Sequence, residues 1–152
     1  MPSGLTKDDA ARLGRKVSEL LRGYIEAQNS LFKFSFAKAF GLRQPDPASA
    51  AAAAAGLKGE VEALLEEVRE AKLDPAEKLD SFFITLRPYL RSVIDAMTFF
   101  TDFCGRMIAA KNAKNKKYWK ESYKKDLEQL QQMERAYLEI GLELNRRWKE
   151  IA

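Results

Sequence analysis

Between Lys111 and Lys125 the chain places seven lysines and a single acid, Glu121, with Tyr118, Trp119 and Tyr123 set among them. Ammonium groups interleaved with aromatic rings suit a nucleic acid, whose phosphates meet the charge and whose bases stack on the rings. The same mixture suits an anionic membrane surface, where aromatic rings settle at the interface. Lys111, Lys114, Lys116, Lys117, Tyr118, Lys120, Lys124 and Lys125 are therefore the candidate anion- or nucleic-acid-binding residues. Lys33, Lys38 and Arg43 form a second basic group, and Phe32, Phe34, Phe36 and Phe40 beside them are candidate apolar contacts.

Catalytic chemistry finds little material. The chain has no histidine, which removes Ser-His-Asp and Cys-His devices, the Glu-x-x-His ligand pairs of di-iron bundles and the usual zinc donors. No glycine-rich phosphate loop is present. Asp95 and Asp102 share a helix face, with Arg91 and Arg106 four residues outside them. Lying off the apolar seam, these groups read as two i,i+4 ion pairs on a solvated face rather than as a carboxylate pair. Glu67 and Glu70 read as surface acids by the same logic. Cys104, the single cysteine, falls on an apolar seam and reads as a small buried hydrophobe. The expectation is a protein that is not an enzyme and uses no metal or cofactor.

The elements that position these residues are legible from periodicity. Leu79, Phe83, Leu86, Leu90, Val93, Met97, Phe100, Cys104 and Met107 alternate steps of four and three, the seam of a helix wound against other helices as in a coiled coil. Phe82, Ile94, Phe99, Phe103 and Ile108 widen that stripe, as contact with several neighbours in a bundle requires. Pro88 falls inside the helix and predicts a kink, with a restart capped by Thr85 as the alternative. An earlier stripe of Leu13, Val17, Leu20, Tyr24, Ala27 and Leu31 predicts a first helix from about residue 7 to about residue 40, with Thr6 as its cap and Gly41 as its stop. Gly14 and Gly23 within it permit close helix contact.

Asp46-Pro47 opens a weak alanine-rich stretch, and the second helix proper runs from about Leu57 to Leu73. Asp74-Pro75-Ala76-Glu77 predicts the start of the third helix after a tight hairpin. The final helix carries Trp119, Tyr123, Leu127, Leu130, Tyr137, Leu144, Trp148 and Ile151 on its stripe.

These elements predict an all-α, elongated up-down-up-down four-helix bundle with three long helices and a shorter second one. The 152 residues form one domain, 1–152, with a flexible or weakly helical Pro/Ala-rich connection at 43–59. A net charge of +4 does not by itself announce a polyanion partner. No stretch reaches the ~20 apolar residues of a membrane span, and the first residues lack the apolar core of a signal peptide. Cytoplasmic residence is the default expectation.

In such a bundle the turn before the last helix lies at the same end as the close of the first. One tip of the rod is then both basic and aromatic. The sequence predicts a binding protein: one that docks a protein partner or self-associates along its long faces. Two alternatives stand beside it. One is a small basic subunit that binds DNA or RNA through the Lys111–Lys125 tip. The other is a peripheral protein of anionic lipid or granule surfaces that uses the Phe32–Phe40 cluster.

Overall fold

A computed structural model of the protein describes residues 4–32 and 46–152. The helix built on the Leu79 seam is α3, Lys78–Asn112. It buries thirteen of its 35 residues, including every seam position from Phe83 to Met107. At about 1.5 Å per residue α3 spans roughly 50 Å. Its large apolar side chains each contribute on the order of 1.5–3 kcal/mol when removed from water. Around it stand α1, Lys7–Phe32, then α2, Pro47–Arg69, and α4, Tyr123–Ile151. The result is an all-α up-down-up-down bundle in which α2 is the shortest helix, with no strand among the described residues.

The starts of α1 and α2 follow their sequence signals. Thr6 Oγ1 accepts the Asp9 amide at 3.1 Å while Asp9 Oδ2 accepts the Thr6 amide at 2.9 Å, a reciprocal capping box. Asp46 accepts the amides of Ala48 and Ser49 with Pro47 at the first helical position. The helix that follows runs through the alanines without interruption, so of the flexible and helical readings of 43–59 residues 47–59 take the helical one, and residues 43–45 lie outside the described residues. Ala50 and Ala54 are buried there, which adds tertiary support to a segment of high intrinsic propensity.

The α2–α3 hairpin departs from expectation. α2 ends at Arg69 and α3 starts at Lys78, four residues after Asp74. Asp74 instead holds a turn: its Oδ1 accepts the Ala76 amide at 3.0 Å, and its own amide donates to Asp80 Oδ2 at 2.9 Å. The C-terminal end of α2 is closed by Arg87, whose Nε and Nη2 donate to Val68 O at 2.8 and 2.7 Å, with Nη2 also reaching Ala71 O. Carbonyls at a helix end lack intrahelical donors, and a guanidinium fork supplies them. α3 continues across Pro88 as one helix, with the Thr85 hydroxyl bonded to Ser81 O inside it rather than capping a restart.

The expected continuation of α1 to residue 40 and its stop at Gly41 lie outside the described residues. The two α1 glycines differ. A Cβ on Gly23 would stand 3.3 Å from the Leu57 side chain of α2, a true close approach, whereas one on Gly14 would meet nothing within 4 Å. α1 and α4 are joined at one level by Gln28 Nε2, which donates to Glu134 Oε1 at 2.6 Å. Burial holds the Glu134 carboxyl above its ordinary range, and the Gln28 bond offsets part of that.

Candidate functional site

The basic stretch folds as the crossing from α3 to α4. α3 ends in a Schellman closure: the Lys114 amide donates to Lys111 O at 3.2 Å and the Asn115 amide to Ala110 O at 2.8 Å. That closure needs a left-handed residue, and Lys114 supplies it at φ 52°, where glycine is the usual occupant. Asn115 Oδ1 then accepts the Tyr118 amide at 3.1 Å and caps the helical turn that follows.

Tyr118–Ser122 is a π-helical turn leading into α4, closed by the Tyr123 amide donating to Tyr118 O five residues back. π turns add a residue to the helical repeat and gather at functional sites. Here the added residue rotates the aromatics. Tyr118 is buried at 9% exposure while Trp119, which simple four-and-three stepping places on the buried stripe, is 42% exposed. The indole is held between two rings, 5.3 Å from Tyr118 and 5.5 Å from Tyr123.

The turn is anchored from below. Tyr118 Oη donates to Asp126 Oδ2 at 2.9 Å, and Arg106 Nε of α3 donates to the same oxygen at 2.8 Å. Burial, and then the bond to Asp126, push the Tyr118 phenol up. The guanidinium of Arg106 lies 5.3 Å from the centre of the Phe99 ring. This corrects the expected pairing on α3: Arg106 engages Asp126 rather than Asp102, and Arg91 has no ion pair with Asp95. A contact across two helices fixes their relative position, which an i,i+4 pair on one helix does not.

Lys111, Lys114, Lys116, Lys117, Lys120, Lys124 and Lys125 are all exposed, and none has a carboxylate within 4.0 Å among the described residues. Asp46, held below the ordinary carboxylate range chiefly by the Ser49 hydroxyl and amide, also feels Lys111, so the start of α2 lies at this end. Phe32 packs on Phe100 and Phe103 at 6.1 and 5.8 Å and is partly buried, which brings the described end of α1 to the upper part of α3. Lys33, Lys38, Arg43, Phe34, Phe36 and Phe40 lie outside the described residues. Cys104 is fully buried, and burial pushes its thiol up to about 12.

In the other half of the molecule α1 and α4 stand apart. A groove of about 790 Å³ runs between them, from Ala10–Arg22 on α1 to Leu138–Trp148 on α4, with Phe82 and Tyr89 of α3 in its lining. Leu138 and Leu142 border it at 57% and 73% exposure. They stand one residue off the buried stripe of α4, and their i,i+4 spacing is the sequence signal for a second apolar line.

No helix among the described residues is long and apolar enough to cross a membrane. Comparison with protein-family models, with characterised proteins and with solved structures returns no match.

Proposed function

We propose that the protein is a non-catalytic binding protein and that its α3–α4 tip binds single-stranded nucleic acid. The observation that carries this reading is the pairing of seven exposed lysines, none in an ion pair among the described residues, with one half-exposed indole in contact with two tyrosine rings. Phosphate contacts supply affinity and a stacked base supplies position, and neither requires a sequence-specific groove reader. A lipid surface is the weaker reading. Among the described residues Trp119 is the single large apolar side chain exposed at this tip, whereas interfacial insertion draws on a broad apolar face.

Fluorescence anisotropy with a labelled single-stranded oligonucleotide tests the proposal. If about four lysines meet phosphates, affinity falls roughly 50-fold between about 50 and 200 mM salt. Replacing Lys114, Lys116 and Lys117 with glutamate together removes most of the binding, and Trp119→Ala weakens it by about 1–3 kcal/mol. Binding that ignores salt, or none at low salt, contradicts the reading. Flotation with anionic liposomes in place of oligonucleotide binding selects the lipid alternative.

A further inference from the structure

The π turn decides where the lysines of the tip fall on the helix surface. In an α-helix, with 3.6 residues per turn, a side chain four positions on overshoots its predecessor, and a line of such steps drifts around the axis. The turn Tyr118–Ser122 holds more residues per turn, so steps of four across it fall short and offset that drift. Lys116, Lys120 and Lys124 therefore stand in one straight line along the axis, all exposed. Lys117, Glu121 and Lys125 form the next line, also exposed. Trp119, one position before Lys120, borders the first line on its other side.

Charge distinguishes the two lines. Glu121 stands midway between Lys117 and Lys125, so an anion laid on that line meets a carboxylate at its centre. The Lys116–Lys120–Lys124 line meets no acid until Glu128, exposed at the next step of four. None of these lysines or glutamates has an ion pair within 4.0 Å among the described residues. We infer, resting on the nucleic-acid reading of the tip, that its ligand is a short unpaired stretch lying lengthwise along the entry of α4. One phosphate sits on each of Lys116, Lys120 and Lys124, and one base stacks on Trp119. Successive turns of the line are about 5.4 Å apart, a rise that an extended strand with unstacked bases follows phosphate by phosphate. A base freed from its neighbours reaches the exposed part of the indole, whereas the bases of a duplex are already stacked on each other. Glu128 closes the line and limits its length, and Lys111, on α3, lies off it.

Salt titrations of anisotropy with a short labelled oligothymidylate, run on the full chain, test the inference. Each phosphate contact to a single strand adds about 0.7 to the slope of log affinity against log salt. Lys120→Gln and Lys124→Gln each reduce the slope by about 0.7, whereas Lys111→Gln leaves it unchanged. Glu128→Lys extends the line by one step, so it steepens the slope by about 0.7 and tightens binding at low salt. Glu139→Lys, farther along α4, makes the same change of charge off the line and does neither. Equal losses at Lys111 and Lys120 overturn the inference and leave the nucleic-acid reading standing. So does a Glu128→Lys slope equal to that of the wild type or of Glu139→Lys. A wild type that binds no oligonucleotide at low salt overturns both.

Discussion

At one end of the bundle seven exposed lysines form no ion pair among the described residues, while in the opposite half two leucines stand exposed beside an open groove. The first surface is uncompensated in charge and nearly free of exposed apolar area; the second is uncompensated in apolar area and carries both signs of charge. Surfaces of these two kinds respond to salt in different ways. Attraction between exposed charges is screened beyond a Debye length of about 8–10 Å, whereas apolar association is not. Each surface therefore answers to its own solution conditions. Both surfaces belong largely to α4 and its entry turn, whereas α3 buries its seam and serves as their common support.

The largest expected effect separates support from surface. Phe100→Ala, at a fully buried ring packed edge-on against Tyr24, costs about 3–5 kcal/mol. Leu142→Ala, assayed by denaturant, costs less than about 0.5 kcal/mol. A large loss at Leu142 breaks the contrast by making that residue part of the fold.

Next in size is the cross-test of the two surfaces. The triple lysine-to-glutamate variant of the tip loses oligonucleotide binding, and Leu142→Glu keeps it. Loss of binding in both variants would merge the two surfaces into one.

Smaller effects sharpen the local geometry. Lys114→Gly removes a left-handed non-glycine residue from the Schellman closure and stabilises by about 0.5–1 kcal/mol, read as a rise in denaturation midpoint. Gly14→Ala gains about 1 kcal/mol from helix propensity, whereas Gly23→Ala gains less because Leu57 must yield. The smallest effect is at the joint between α1 and α4. The Glu134 carboxyl is held above its ordinary value of 4.5 by burial, so the folded state binds its proton more tightly than the unfolded chain. Its contribution is fully present below that ordinary value and is lost as pH rises through the raised one. Glu134→Gln keeps a partner for Gln28 without the charge. It should raise the melting temperature at pH 7, and that gain should shrink as pH falls towards 4.

Periodicity made the bundle legible because α3 and α1 follow unbroken helical repeats, and burial agrees with both stripes from Leu13 to Leu31 and from Phe83 to Met107. Boundaries were less legible. α3 starts at Lys78 rather than at Asp74 because the Asp74 amide donates to Asp80 across a turn while its carboxylate caps Ala76, and the first is a contact of six residues' separation that propensity cannot weigh. The same limit governs the site. The lysines were visible as composition, but the exposure of Trp119 depends on a π turn that shifts the repeat by one residue. Arg106 chose Asp126 over a neighbour on its own helix, and Arg87 chose carbonyls at and just beyond the end of α2. Both are tertiary decisions. The groove was not legible either, because spacing states which residues are apolar on a helix and not which helices part company.

Salt titration of oligonucleotide binding, run in parallel on the wild type and on the Lys114, Lys116 and Lys117 to glutamate variant, tests the central claim most directly. The account predicts a steep linear fall of log affinity with log salt for the wild type and a flat, weak response for the variant. Equal slopes in the two proteins, or no wild-type binding at about 50 mM salt, would contradict it.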